Sequence, residues 1–565
     1  MSTRSSRFDD GEHRRPTSAR RRIRRLNPPN PLWGSNGVAF GPDGRLYVAQ
    51  FLAGRISAVD PADGDVEVVV PADGPVRSPD DLAFGADGSM YIADLVPGRV
   101  WRRSPRGEYT SVSEEVAVPN GITCVGDRLF VNEMKMDGRL LELFPEGGDP
   151  VVLTGGIALG NAMQLGPDGC LYYPHMVSNQ VWRISPDGGE PEVVAEDVHD
   201  PVAVRFDRGG VLHVLSRGPE GFVTRIDLHG SGSRSLVTSG LVGLDNAAFD
   251  AENRMYVSSY AAGGITELHP DGRTRAIVPR GLNGPYGVTV DLGGTVYAAD
   301  HYRVARPQPT DGDADRGTGT GTGTGTNCDT DTVGRDASGG VTTEALLVFT
   351  HGITADRGLL HLTSQYGTVQ TYDPARGTGR VRATGLSRPL GIAVRADGAL
   401  VVAETDAGRI VAIDEDDTVT VVAEGLGHPV DVAFDAEQRC YVSDDRLGAV
   451  LRIDGTDRAV PVAEGLGSPQ GLAVSGDELF TVDTGQRRLW AISLTTGERR
   501  IDAEDLAVGT PPGVARRAEP ALFAHGMPGL PAGFAGLAAA PDGSLVLSAD
   551  GDGTVLRLSP PHDGA

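Results

Sequence analysis

Lysine is almost missing from this chain: of 51 basic residues only Lys135 is a lysine, and the rest are arginine. Against them stand 76 acidic residues, for a net charge of −25. That balance argues against nucleic acid or an anionic membrane as the main partner. Cysteine is scarce as well. Cys124, Cys170 and Cys440 fall in strands expected of different repeats, and Cys328 falls in a linker. Four such residues exclude a disulfide framework and leave no close pair suited to zinc. They read as small core residues in a reducing cytoplasm. No apolar run approaches the roughly 20 residues of a membrane-spanning helix. Helical spacing of apolar residues is lacking too. They come in short runs separated by Gly, Asp and Pro, which points to strands and turns.

Nine arginines crowd the first 25 residues. NPPNPLW follows where an export signal needs an apolar segment, so residues 1–34 are expected to be a disordered basic arm and the protein cytoplasmic.

What the chain has in plenty is glycine, 78 residues, and a repeat. Its clearest copy is Val118–Glu133, VPNGITCVGDRLFVNE. A turn opens an apolar strand, Gly126 and Asp127 reverse it, and the returning strand ends at Glu133. An antiparallel pair of this kind puts Asn120 and Glu133 on one rim. Copies aligned on Asn120 begin at Asn36, Asp80, Asn120, Asn161, Val202 and Asp245, then at Tyr286, His351, Leu390, Val430, Gln470 and Ala535. A period near forty residues with four short strands per copy is that of a β-propeller blade. Twelve copies exceed one ring. The expected fold is therefore all-β, two tandem six-bladed propellers of four-stranded blades, over residues 35–281 and 282–565. Low-complexity residues 307–340 are expected to be a disordered insertion before a fourth strand EALLVF. Residues 508–532 form a second insertion, in a loop. The last blade lacks a fourth strand, which either the stretch before Leu282 or the amino-terminal segment would supply.

The first residues of the inner strands crowd the mouth of a propeller's channel. In the first ring five of six are amide or carboxylate, whereas in the second half are aliphatic. Turn preference alone treats both rings alike. Converging oxygens suit a hard divalent cation, calcium first and magnesium or zinc next. The expected ligands are Asn36, Asp80, Asn120, Asn161 and Asp245. At the ends of the second strands, on the same rim, stand Gln50, Asp94, Glu133 and His175. Glu133 and His175 are acid/base types, with His175 open equally to a structural role, and Lys135 is placed to hold an anionic substrate.

The repeats SNGVAFGPDGRLYVAQ, VPNGITCVGDRLFVNE and SRPLGIAVRADGALVVAE resemble the gluconolactonase/regucalcin family and its NHL-repeat relatives, from about Asn36 to Pro560. The resemblance implies one divalent cation at the channel mouth of a six-bladed propeller, polarising a lactone carbonyl. Asn36, Asn120 and Asn161 match family positions. Asn36 stands where that family has its Glu, and Val202 where it has an Asp; carboxylates appear instead at Asp80 and Asp245. The expected function is a metal-dependent hydrolase of a lactone or related ester, acting as a monomer on a small molecule. A metal-dependent lyase or cyclase, and a non-catalytic binding scaffold, stand as alternatives.

Overall fold

The computed structural model describes residues 15–228, 230, 232–307, 340–347, 349–510 and 532–561. All regular structure among them is β: 48 strands in twelve four-stranded antiparallel sheets, each a propeller blade. They divide into two compact units. Unit 1 is Asn30–Asn283, and unit 2 joins residues 15–29 to residues 284–510 and 532–561. Six sheets belong to each. In each unit the six inner strands neighbour one another around a closed circuit.

The first sheet shows how the sequence builds a blade. Its strands are Ser35–Phe40, Leu46–Gln50, Arg55–Val59 and Val66–Val70. Gly44, at φ +79°, makes the first reversal, and the Asp43 carboxylate accepts the Arg45 N–H at 3.2 Å. A left-handed turn of this kind favours glycine. Leu46–Gln50 is buried throughout because neighbouring sheets cover both its faces. Val66–Val70 lies outermost and is largely exposed. The core is therefore the set of layers between sheets. Tyr47, Ala49, Ile56 and Val70 of the first sheet pack on Leu82, Met90 and Ile92 of the second. Each such side chain contributes about 1.5–3 kcal/mol on burial, enough to hold a ring without helices.

One irregularity recurs where it matters. The inner strand shifts register against its partner between Ser35 and Val38, Pro79 and Asp81, Pro119 and Ile122, and Leu244 and Ala247. These bulges contain Asn36, Asp80, Asn120 and Asp245. A bulge bends the strand and re-aims the side chains within it.

Each unit closes differently. In unit 1, Leu32, Val38, Leu46 and Val48 pack on Tyr256, Ile265 and Val278 of the sixth sheet. Two asparagines latch the seam. Asn30 Nδ2 donates to Leu282 O at 3.0 Å, and Asn283 Oδ1 accepts the Gly34 N–H at 3.1 Å. In unit 2 the last sheet is Leu537–Ala539, Leu545–Ala549 and Thr554–Ser559, completed by Arg22–Arg25. This corrects the expectation of a disordered arm over residues 1–34. Arg22–Arg25 pairs antiparallel with Leu556–Ser559 and fills an otherwise open sheet edge. Ile23 packs on the core beneath, Arg21 pairs with Asp502, and Arg25 Nη2 meets Asp552 at 3.0 Å. Residues 1–14 lie outside the described residues.

The expected insertions fall almost wholly outside them too, at 308–339 and 511–531. The strand after the first is Val341–Ala345, earlier than the EALLVF expected.

Candidate functional site

The mouth of the unit 1 channel gathers the expected oxygen ligands. Asn36, Asp80, Asn120, Asn161 and Asp245 are between 1% and 8% exposed. Asn36 Nδ2 donates to Asp80 Oδ1 at 3.4 Å, and Asn120 is near enough to act on the Asp80 carboxyl. Asp80 and Asp245 feel each other's charge. Asn120 Nδ2 points at Met134 Sδ, 3.1 Å away, and Asn161 Nδ2 lies 3.6 Å from Met176 Sδ. Asn161 Oδ1 is turned to the Ala162 N–H at 2.7 Å. Asn120 Oδ1 is buried and has no hydrogen-bond partner.

Three further residues complete the site, and the sequence reading missed them. Asp81 accepts the Leu82 N–H at 2.9 Å and the Ile122 N–H at 3.2 Å. Asn246 Nδ2, from the sixth sheet, donates to it at 3.2 Å. Arg205 is buried, with its guanidinium on the carbonyls of Ala247 (2.8 Å), Met163 (2.9 Å) and Val204 (2.9 Å). Its charge acts on both Asp81 and Asp245. The available signal was Arg205 itself, a charged residue inside the apolar strand PVAVRF.

Burial dominates the electrostatics. It pushes Asp80 up to about 7, helped by the Asp81 charge and opposed by Asn120. Burial, then Asp80 and Asp81, raise Asp245 far above the usual carboxylate range, against Arg205. Asp81 rises to about 6, burial outweighing Arg205 and the two backbone donors. Burial in turn lowers Arg205. Three carboxyl groups are thus gathered here, and one guanidinium acts on two of them, Asp81 and Asp245. Fully ionised, they leave two uncompensated negative charges in a desolvated space. Among the described residues no three or more His, Cys, Asp or Glu side chains are grouped to hold a metal ion; the cluster here mixes carboxylates with amides.

The second set of expected residues does different work. Glu133 is fully buried. It accepts the Ala117 N–H at 3.0 Å, the Arg139 N–H at 3.1 Å, and the Arg139 guanidinium through both oxygens. Lys135 Nζ stands 3.4 Å off. Burial raises its pKa, but Arg139, Ala117 and Lys135 outweigh that and hold it below the usual range. His175 Nδ1 accepts the Ala158 N–H at 3.4 Å, and its ring stacks on Trp182 at 4.8 Å. Burial lowers it to about 4.

These are versions of one lock. The side chain ending a second strand takes a backbone N–H two or three residues upstream of the mouth residue. Gln50 takes Trp33 (3.1 Å), Asp94 takes Arg77 (3.1 Å), Glu404 takes Ser387 (2.7 Å) and Asp483 takes Gly467 (2.8 Å). Glu133 and His175 occupy the lock position, whereas the Asn and Asp set occupies the channel.

The unit 2 mouth is built from opposite materials. Tyr286, Leu390, Val430 and Phe534 form one apolar cluster. His351 is sandwiched between Tyr286 (4.5 Å, 18°) and Phe534 (5.6 Å, 23°).

No family model matches the chain, and no curated protein matches it. Solved structures do. Virginiamycin B lyase from Staphylococcus aureus is 18% identical over 50% of this chain and 96% of its own, at a TM-score of 0.37. A nidogen/laminin complex is 18% identical over 40% of this chain and 88% of that one, at 0.36. An extracellular domain from B. thetaiotaomicron is 11% identical over 96% of this chain and 83% of that one, at 0.31. The chain is an all-β protein of propeller blades.

Proposed function

We propose that each unit is a six-bladed propeller and that unit 1 carries the activity: a divalent-cation site in its channel, serving hydrolysis of a lactone or related small ester. The observation that supports this is a buried group of carboxyls, held against ionisation by burial and by one another, beside a buried, partnerless oxygen on Asn120. An orphaned acceptor beside carboxyls that lack a counter-charge is what a cation relieves. Asp80, Asp245, Asn120 and Asn36 would hold it. Asn161 would join only by turning its oxygen away from Ala162. An all-oxygen set favours calcium or magnesium over zinc. Such a cation, when bound, polarises a carbonyl and lowers the pKa of water.

The remaining roles fall to the chain's own groups. Arg205 and Asn246 fix Asp81 and offset part of the acid charge. The proton-moving role goes to whichever of Asp80 and Asp245 the cation leaves free, since burial holds both carboxyls above the usual carboxylate range. We assign Glu133 and His175 to positioning, because their acceptor atoms are engaged by backbone and arginine donors. Lys135, half-buried beside Glu133, remains the group for an anionic substrate. The resemblance to the gluconolactonase family supports the lactone as substrate class.

A lyase reading draws on the same free carboxylate, as a base of raised pKa equally suits removal of a proton next to a carbonyl. Product analysis separates the two: hydrolysis adds water and opens an acid, elimination leaves a double bond. The test of the site is metal titration of Asp80→Asn and Asp245→Asn. Each should weaken calcium binding at least about tenfold, as removal of one of two charged ligands does. Asp300→Asn in unit 2 should leave it unchanged. Unaltered affinity in both unit 1 variants sinks the cation site and leaves ligand binding without turnover as the reading to pursue.

A further inference from the structure

Unit 2 has a cavity of its own, and nothing in the reading of unit 1 bears on it. About 370 Å³ of space lies within its channel, bounded by all six inner strands. Phe534 closes one end, being at once a wall of the cavity and a member of the apolar plug with Tyr286, Leu390 and Val430. Much of the wall is backbone. A Cβ on Gly391 would lie 2.0 Å from Asp431 Oδ1, and one on Gly352 2.1 Å from Leu390 O. The inner strands are sheet edges, so the channel meets polar but uncharged groups.

Two carboxylates line the space. Asp356 is one-third exposed, with Arg357 at 3.7 Å. Asp431 is 7% exposed. It accepts the Val432 N–H at 2.9 Å and the Leu472 N–H at 2.8 Å, and among the described residues no cationic side chain pairs with it. Its counterpart in unit 1 is Asp81, which takes the same two kinds of backbone donor but adds Asn246 and the charge of Arg205. Arg205 stands three residues after the mouth residue Val202. The six positions so placed in unit 2 are Thr289, Thr354, Ala393, Ala433, Ala473 and Ala538, all lining the cavity and none charged.

We propose that the unit 2 channel binds a small organic ammonium ion, with its charge on Asp431 and its carbon groups against the ring of Phe534. Asp431 among neutral backbone walls, with the other carboxylate, Asp356, one-third exposed beside Arg357, falls short of what a hard divalent ion requires. A carboxylate with an aromatic face suits an alkylated ammonium.

Tetramethylammonium chloride, titrated calorimetrically into the full-length protein at about pH 8.5, where Asp431 is ionised, tests this, with tert-butanol as the uncharged analogue. Saturable binding of the ammonium and none of the alcohol is the expected result. Asp431→Asn should weaken it at least about tenfold, as loss of a buried counter-charge does. Phe534→Leu should weaken it several-fold, and Asp397→Asn on the surface should leave it unchanged. No saturable binding to the wild type, equal binding of tert-butanol, or full affinity in Asp431→Asn each overturns the proposal. So does displacement by equimolar sodium or calcium, which would make the channel a metal-ion site. The comparison of ammonium with alcohol needs only the wild-type protein and stands even where a variant fails to fold.

Discussion

Glu133→Gln separates a catalytic glutamate from a structural one, because unit 2 carries its duplicate. The carboxylate of Glu133 is met by two backbone N–H groups and the Arg139 guanidinium. Glutamine keeps one acceptor oxygen and turns an NH2 toward the donors that served the other. Hydrogen bonds to a charged acceptor contribute about 1.5–3 kcal/mol each, so losing part of this set would cost several kcal/mol in a dry interior. The arginine and lysine partners are 40% and 31% exposed, however. Solvent screens much of their share and leaves a cost of about 2 kcal/mol. Glu404, 1% exposed, takes the Ser387 N–H at 2.7 Å and the guanidinium of Arg409, itself 37% exposed. Glu404→Gln should therefore cost about the same 2 kcal/mol in unit 2. Urea denaturation gives the two costs. Amide exchange at Ala117 and Ser387 reports whether each lock has opened. Equal costs, with faster exchange at both amides, fit a pair of locks. Unchanged stability and exchange in Glu133→Gln, together with a roughly 100-fold loss of turnover on a lactone, would refute the argument and restore Glu133 as the proton-moving residue.

Further outcomes follow from the same geometry. Burial pushes Asp431 up to about 7, so the folded chain holds a proton that the unfolded chain has released above about pH 4. That stability is fully present below pH 4 and lost as pH rises through 7, up to a ceiling of about 4 kcal/mol. Asp431→Asn should gain on the wild type between pH 5 and pH 8 in denaturant titrations, and a constant difference would contradict the burial argument. Arg21→Ala leaves Asp502, 1% exposed, without its closest cationic partner, and should lower unit 2 stability by about 3 kcal/mol in the same assay. Burial raises the thiols of Cys124 and Cys440 to about 12, so maleimide at pH 8 should miss both in the native protein and label them in urea, read by peptide mass.

The blades were legible because a β-propeller repeats its own grammar: an apolar run, a Gly turn, a second apolar run, forty residues later the same again. What was not legible was the piece with no local grammar. Arg22–Arg25 is read as a solvated tail from its composition, and only Ile23 hints at a buried face. Its partners lie more than 500 residues away, as Arg25 and Asp552 show. Strand pairing at that separation leaves no periodic trace. The locks leave little trace in the sequence for a related reason. Residue type announces that Glu133 and His175 can move protons, but not which donors their acceptor atoms meet. The clue was Glu404, the same residue at the same point of another copy.

The mouth residues share one position in the repeat, and the comparison between units bears on what that position is for. Unit 2 completes its circuit with Tyr286, Leu390 and Val430 packed on Phe534. Of the six positions in unit 2 that correspond to Asp81 and Asn246, five are glycine and the sixth is Asp431, which repeats the Asp81 contacts, whereas none of the positions matching Asp80, Asp245 and Arg205 is an acid or an arginine. The fold therefore does not require charge at the positions of Asp80, Asp245 and Arg205. Unit 1 nevertheless keeps these three in a desolvated channel, each shifted by burial against its charged form. Groups held at such a cost, where a neutral alternative stands in the same chain, are better explained by a ligand they meet than by the architecture they sit in. The Asp80→Asn and Asp245→Asn proteins should accordingly fold at least as well as the wild type, because the change removes repulsion and leaves the apolar layers between sheets untouched.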